Sequence, residues 1–211
     1  METIVHYYRK TEPPHSLFPS ITEELKVLGL GADGNKIEAV ETESCFNVLL
    51  GTELVAEQQE KLEWLLAETF DRDSLQIGKS SFDTSVGTDT WKVEFGPRMT
   101  FTSAFSSNAV GICQACNLPI SRLELSRRYL FTTSEALSDE AIVAVKAMLH
   151  DRMTEEEYAA PLKSFDSGAH AKPVRTIPIM AEGRGALEII NKEMGLGFDD
   201  FDLDYYTNLF K

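Results

Sequence analysis

The stretch 37–50, IEAVETESCFNVLL, decides the fold of this 211-residue chain. Its β-branched, aromatic and aliphatic residues run to Gly51 without a proline, so we predict one long strand. A helix is predicted directly after it, over 52–70, because the leucines there recur at helical spacing. A strand followed by an amphipathic helix indicates mixed α and β structure.

The same alternation of strand and helix signals precedes and follows this stretch. Residues 71–89 are rich in Ser, Asp, Gly and Thr and are predicted as a loop. The other predicted elements are strands over 3–9, 91–95 and 122–132 and helices over 16–30, 104–117 and 138–149.

The β-α-β-α order occurs twice within 1–150, which suggests an internal duplication. A shift of 83 positions lays Phe46 on Tyr129, and a shift of 88 lays Leu25 on Cys113. The sequence therefore predicts an α+β fold in which two halves pair into one pseudo-symmetric domain. Alternating patterns also match by chance, so an α+β fold without an internal repeat remains an alternative.

Residues 151–211 have a different sequence pattern from residues 1–150 and are predicted as a second, small and mostly helical domain. Thr154 and Glu157 form the T-x-x-E pattern of a capping box, which predicts a short helix. Residues 161–180 contain three prolines and no clear period, which is typical of an extended linker. Two further helices are predicted, over 182–194 and 199–210.

The chain is acidic, with 20 Lys and Arg against 34 Asp and Glu and a net charge of -14. This balance argues against a nucleic-acid binder, because phosphate contacts need clustered basic side chains. No apolar stretch is long enough for a transmembrane helix, and no signal peptide is visible. Three cysteines do not make a disulfide framework. Together these features predict a soluble, cytoplasmic protein without a membrane partner.

One segment departs from the acidic character of the chain. Residues 91–130 carry five basic and two acidic side chains. This is either a chance local balance or a surface that meets an anionic ligand or an acidic neighbouring domain. Within it, Arg98 and the start of helix 104–117 would together hold an anion. The alternative is simple capping of that helix by Ser106 or Ser107.

The remaining motifs are weak. Cys113-Gln-Ala-Cys116 is a C-x-x-C pair, for which a redox or zinc role is conceivable. The pair shares an apolar helical stripe with Ala109 and Ile112, however, so we expect buried structural cysteines. The acidic run 200–204 lacks the Gly and Glu that an EF-hand loop needs. No phosphate-binding loop or nucleophile elbow occurs, and no metal site is predicted.

Residues 96–131, GPRMTFTSAFSSNAVGICQACNLPISRLELSRRYLF, resemble the phosphoribosylformylglycinamidine synthase family of the large single-chain type. Three more stretches agree in order along the chain, over 40–48, 150–155 and 182–210. The resemblance therefore extends over nearly the whole sequence.

This resemblance implies a ligase of de novo purine synthesis. Its family converts formylglycinamide ribonucleotide, glutamine and ATP into formylglycinamidine ribonucleotide, glutamate, ADP and phosphate. It implies that 1–150 is similar to a dimer of the family's small subunit and that 151–211 is a linker domain. ATP, Mg²⁺ and every catalytic residue are expected beyond Lys211, in a synthetase core and a glutaminase domain.

For this segment the resemblance implies a scaffold that contacts the core and the glutaminase of the same polypeptide. It would help to shape the path of ammonia, which must exclude bulk water. Arg98, Asn108, Arg127 and Arg128 match the family motif and are the predicted interface or near-site contacts. Neighbouring strand residues face opposite ways, so Arg127 and Arg128 are expected on opposite sides.

Two other functions stay open at this point. One is a free-standing module that binds a small anionic metabolite, and the other is a thiol redox protein that uses Cys113 and Cys116. The sequence also leaves open whether the chain forms homo-oligomers.

Overall fold

A computed structural model describes residues 3–68, 70–83, 90–168 and 171–209. The chain forms two compact units, Met1–Ser167 and Gly168–Lys211. The domain boundary predicted from the change in sequence pattern lies before the boundary between these two units, at residue 150. In the structure, residues 151–167 belong to the first unit, since part of this segment pairs with its sheet.

The first unit is an α+β fold built on an antiparallel sheet. Its strands are β1 (Thr3–Thr11), β2 (Ile37–Leu50), β3 (Leu75–Ile77), β4 (Thr90–Pro97), β5 (Ile120–Thr133) and β6 (Glu155–Glu157). They lie in the order β3-β1-β2-β5-β4-β6. Its helices are α1 (Leu17–Val27), α2 (Gly31–Gly34), α3 (Ala56–Leu66), α4 (Ala104–Ala115) and α5 (Asp139–Leu149).

The long strands agree with the sequence prediction. β2 occupies the predicted 37–50, and β1, β4 and β5 are each slightly longer than predicted. The helix predicted over 52–70 is shorter, because α3 begins at Ala56 and ends at Leu66. The predicted loop over 71–89 contains β3, and its last part, 84–89, lies outside the described residues.

The helix predicted from the capping box at Thr154 is wrong. Residues 155–157 instead form β6, which pairs with Phe95, Gly96 and Pro97 at the edge of the sheet. The Thr154 hydroxyl donates to Asp151 Oδ2 at 3.1 Å. An available sheet edge has therefore overridden a local helix signal.

α1, α3, α4 and α5 all cover the same face of the sheet. Phe46 of β2 pairs with Leu125 of β5, and Tyr129 is an even number of residues further along β5, so all three share one face. Phe46 packs under α3 and α4, whereas Tyr129 packs under α1 and α5. We call the two groups the α3/α4 cluster and the α1/α5 cluster.

The α1/α5 cluster depends on a capped helix. Ser138 accepts a hydrogen bond from Ala141 N and donates one to Asp33 Oδ2 at 2.9 Å. The hydrogen bonds that Asp33 accepts from the Ser138 hydroxyl and from the Ser138 backbone N–H lower the pKa of Asp33 below its ordinary value, with Lys36 contributing in the same direction. The sequence prediction that Ser138 caps this helix is confirmed.

We expect Ser138→Ala to lower the free energy of unfolding by about 1 kcal/mol, since the cap of α5 is lost. Chemical denaturation followed by circular dichroism measures this change. Ser107→Ala is the matched control, because this exposed serine does not cap its helix. Equal effects of the two substitutions would contradict the prediction.

The second unit contains three helices in the described residues, α6 (Ile179–Glu182), α7 (Arg184–Met194) and α8 (Asp200–Leu209). Gly195, with φ of 63°, ends α7 in a left-handed conformation, as the sequence predicts. Leu187, Ile190 and Leu203 form the core of the unit. No helix of the described residues has the length and apolar character needed to cross a bilayer.

Candidate functional site

The face of the sheet opposite α1, α3, α4 and α5 carries ionisable side chains shielded from water. Glu43 is 1% exposed and Glu124 is 0% exposed. Two stretches of chain cover this face. Ser80 and Ser81 bond Glu43, and Phe82 lies beside Arg128. In the segment 158–166, Tyr158 lies against Gly96 and Phe165 lies against Arg122. We call this buried layer the polar face.

Arg128 is the centre of the polar face. Its Nη1 lies 2.6 Å from Glu43 Oε2, and its Nε lies 3.1 Å from Glu94 Oε2. The guanidinium also lies over the rings of Tyr8, at 4.9 Å, and Phe82, at 5.7 Å. One arginine therefore pairs with two carboxylates in a site largely closed to solvent.

A chain of hydrogen bonds continues from Glu94 across β5 and β2 to β1. Ser126 Oγ donates to Glu94 Oε1 at 2.6 Å, and Asn47 Nδ2 donates to Ser126 Oγ at 3.0 Å. Asn47 Oδ1 then lies 2.9 Å from His6 Nδ1. Burial raises the pKa of Glu94 above its ordinary value, although the bond from Ser126 and the charge of Arg128 both act to lower it.

A second polar centre lies at the start of α4. Glu124 accepts hydrogen bonds from the Ser103 hydroxyl at 2.5 Å and from Arg122 Nε at 3.0 Å. Ser103 in turn accepts a bond from Ser106 N and caps α4. The alternative in which Ser106 or Ser107 caps this helix is therefore wrong. The other alternative placed an anion at the helix start, and a buried carboxylate of the chain itself lies close to that position.

The four residues predicted as contacts do not form one site. Arg128 lies in the polar face, whereas Arg127 points to the helix-bearing side and binds Glu155 through two bonds of 2.7 Å. Arg98 donates from Nη2 to Arg152 O at 2.7 Å, and its Nε has no hydrogen-bond partner among the described residues. Asn108 is exposed on α4. Their roles as interface contacts stay predictions.

The basic segment 91–130 is largely neutralised by its own unit. Arg122, Arg127 and Arg128 each lie within 3.1 Å of a carboxylate of the same unit. These ion pairs place the basic side chains of this segment next to carboxylates of the same acidic chain. They also disfavour the module that binds a small anion, since these guanidinium groups are already paired.

The cysteine pair lies at the end of α4. Cys113 is buried and Cys116 is half-buried, whereas Ile112, predicted to face inward, is 54% exposed. Burial raises the pKa of Cys113, as does the neighbouring Cys116. Burial also raises the pKa of Cys45. A raised thiol pKa disfavours the reactive thiolate that redox chemistry requires.

We expect iodoacetamide to modify only Cys116 in the folded chain, because Cys45 and Cys113 are 1% and 3% exposed. Mass spectrometry of the labelled chain identifies the modified residues, and labelling in denaturant provides the control for full reactivity. Rapid modification of Cys113 without denaturant would restore the redox hypothesis.

Both polar centres lie in a stretch of sequence that matches a known protein family. The profile of the family described as formylglycinamide ribonucleotide amidotransferase N-terminal matches residues 43–164. This match covers Glu43, Glu94, Glu124 and Arg128. The chain belongs to this family. The family resemblance predicted from residues 96–131 is confirmed.

Individual relatives agree with the family profile. The chain is similar to a phosphoribosylformylglycinamidine synthase of Dictyostelium discoideum, with 46% identity over 218 residues and 99% of this chain covered. A probable phosphoribosylformylglycinamidine synthase of Arabidopsis thaliana, named as chloroplastic/mitochondrial, is 42% identical over 216 residues and 99% of this chain. The phosphoribosylformylglycinamidine synthase of Homo sapiens is 34% identical over 215 residues and 100% of this chain.

The match covers only part of each relative. The chain spans 16% of the Dictyostelium protein, 15% of the Arabidopsis protein and 16% of the human protein. The family therefore places residues 1–211 in the N-terminal region of a much longer kind of protein.

Proposed function

We propose that this chain is the N-terminal portion of a ligase that makes formylglycinamidine ribonucleotide from formylglycinamide ribonucleotide, glutamine and ATP. The observation that carries the proposal is the family membership, together with relatives of that name that match almost the whole chain. We place the enzyme in the cytoplasm and in purine synthesis.

Within that enzyme, residues 1–211 act as a scaffold and not as a catalytic centre. The buried carboxylates Glu43 and Glu124 are each held by serine and arginine partners of the same unit. Groups held in this way stabilise one arrangement of the sheet and its covering segments. The synthetase core and the glutaminase of the same polypeptide are the partners of this scaffold, which borders the ammonia path.

ATP and Mg²⁺ belong to the synthetase core in this proposal. Among the described residues, no group of three or more His, Cys, Asp or Glu side chains could hold a metal ion. In this proposal, residues 1–211 contribute structure and the metal ligands lie elsewhere in the polypeptide.

We further infer that the first unit arose by duplication of a β-α-β-α half. Support comes from the residues that fill the two clusters. A shift of 83 positions relates Leu62 to Val145 and Leu66 to Leu149, all of them buried. The central strands also pair antiparallel, with Ser44 opposite Arg127, which is again 83 positions away. The second unit, Gly168–Lys211, would then form the linker domain, without the residues 151–167 that the sequence assigned to it.

A chimera tests the proposed function. Residues 1–211 would replace the matching N-terminal region of the Dictyostelium enzyme, and formation of the amidine product would be measured with glutamine and ATP. We expect an active chimera, because the two segments are 46% identical. The same exchange with the Arabidopsis segment is the control for a foreign interface.

Two outcomes would overturn the proposal. One is a chimera that is folded but inactive while the Arabidopsis control is active. The other is glutamine hydrolysis by the isolated 211-residue chain, since a scaffold supplies no nucleophile for that reaction.

A further inference from the structure

Arg122 joins two stretches of the first unit that are distant in sequence. Its guanidinium lies over the ring of Phe165, 4.5 Å from the ring centroid. Its Nε lies 3.0 Å from Glu124 Oε1, and its Nη2 donates to Phe101 O at 2.5 Å. Phe165 belongs to the covering segment 158–166, whereas Phe101 lies in the turn before α4. One side chain therefore contacts both the end of the first unit and the start of a helix.

Phe165 anchors the end of the first unit. Among residues 161–168, all of which the structure describes, only Phe165 is buried. The residues after it, 166–168, are exposed and lead into the second unit. A guanidinium over an aromatic ring is attracted to it, and the attraction is stronger where water is excluded. Phe165 is therefore the last buried side chain before the second unit begins, and it lies on Arg122.

Glu124 connects Arg122 to the start of α4. Its Oε2 accepts a hydrogen bond from the Ser103 hydroxyl at 2.5 Å, and its Oε1 accepts one from the Ser103 N–H at 3.2 Å. Ser103 Oγ accepts the Ser106 N–H at 3.0 Å and caps the helix. Glu124 is 0% exposed, and Arg122 is its only ion-pair partner among the residues that the structure describes. The orientation of the cap thus depends on a buried ion pair.

Loss of the Phe165 contact would weaken this ion pair. The Arg122 side chain is only 15% exposed while the ring lies against it. Without the ring, water reaches the guanidinium, and the attraction between two opposite charges falls as the surrounding medium becomes more polar. Glu124 then holds Ser103 less firmly. The first turn of α4 opens more often as a result, because its N–H groups lose a fixed cap.

We propose that Phe165 is a positioning residue that sets the order of the first turn of α4 through Arg122 and Glu124. The cap is fixed when the segment 158–166 lies on the sheet, and it loosens when Phe165 leaves Arg122. The order of the helix start thus reports whether the chain that leads into the second unit is bound to the sheet. The inference concerns the first unit itself and does not depend on the proposed function.

Hydrogen exchange of two amides, measured by NMR in the 211-residue chain, tests the inference. The Ser106 N–H reports on the cap of α4, and the Ala141 N–H, which donates to Ser138, reports on the cap of α5. The ratio of the two rates corrects for a general change in stability. We expect Phe165→Ala to raise the ratio of Ser106 to Ala141 exchange by about tenfold or more, because the Ser106 N–H exchanges when the cap opens.

A second buried ring provides the matched control. Phe82 is 1% exposed and lies over Arg128, in the other stretch that covers the sheet. Phe82→Ala is expected to leave the ratio unchanged. Phe165→Leu keeps an apolar side chain but lacks the aromatic face, so an intermediate rise is expected even if Phe165→Ala does not fold. In an Arg122→Gln background, Phe165→Ala is expected to change the ratio by less than about twofold, since the route through Arg122 is gone.

Three outcomes would overturn the inference. The first is an unchanged ratio in the Phe165 variants. The second is an equal rise in Phe82→Ala, which would show that the loss of any covering ring loosens α4. The third is an undiminished effect of Phe165→Ala in the Arg122→Gln background, which would assign the coupling to another contact.

Discussion

Replacing Arg128 by alanine is expected to lower the free energy of unfolding of the first unit by about 3–5 kcal/mol. The loss leaves Glu43, 1% exposed, and Glu94 without the positive charge that pairs with both of them. An unpaired carboxylate in such a site must either stay charged in an apolar environment or take up a proton. Urea denaturation at neutral pH measures the change.

The adjacent residue provides the control. Arg127→Ala removes an ion pair with Glu155 whose arginine is 50% exposed, and exposed pairs contribute about 0–1 kcal/mol. If Arg128→Ala does not fold, Arg128→Lys remains informative. Lysine keeps the charge but lacks the planar fork that reaches both carboxylates, so an intermediate loss is expected. Equal small losses for Arg127→Ala and Arg128→Lys would show that the polar face does not depend on Arg128.

The second large effect is expected from Gly96→Ala, at about 1–3 kcal/mol of destabilisation. A Cβ at this position would lie 2.5 Å from the Tyr158 ring. Tyr158 cannot easily move, since it is 8% exposed and its hydroxyl donates to Pro97 O at 2.6 Å. The substitution would therefore push the covering segment 158–166 away from the sheet. Thermal unfolding by calorimetry measures the loss.

Two further variants test whether the contact with Tyr158 causes this loss of stability. Gly111→Ala, with no atom near the added methyl group, is expected to stabilise the isolated chain by about 1 kcal/mol. In a Tyr158→Ala background, Gly96→Ala should cost much less than in the natural chain, because the clashing ring is gone. An unchanged cost in that background would rule out Tyr158 as the cause.

The sequence predicted those parts of the fold in which local pattern and tertiary role agree. β2 is long, apolar and bounded by glycine, and its structure spans the predicted residues. Ser138 caps α5 as expected because the cap is a local interaction. β3 and β6 were not predictable in this way, since three residues carry no periodicity. The Glu155–Glu157 strand forms only because the edge of β4 accepts it.

The polar face could not be predicted from the sequence for a different reason. In an alternating strand, polar positions such as Glu43, Glu94 and Glu124 indicate a side that faces water. Here that side is covered by chain segments that are distant in sequence. The alternation therefore predicts correctly which side chains share a face, but the exposure to water that it predicts for these glutamates is wrong. The sequence singled out Arg128 only as an interface or near-site contact and did not single out Arg122. Their ion pairs with Glu43, Glu94 and Glu124 could not be predicted from it.

The shared clusters of the first unit have a consequence for its synthesis. The α3/α4 cluster contains Val48 from β2 and Leu123 from β5, so neither half of the unit closes it alone. On the ribosome, the earlier strand must wait for the later one for roughly 4–15 s at about 5–20 residues per second. During that interval its apolar face depends on β1, α3 and chaperones for protection. The emerging chain is thus most vulnerable to aggregation before α4 and β5 have been translated.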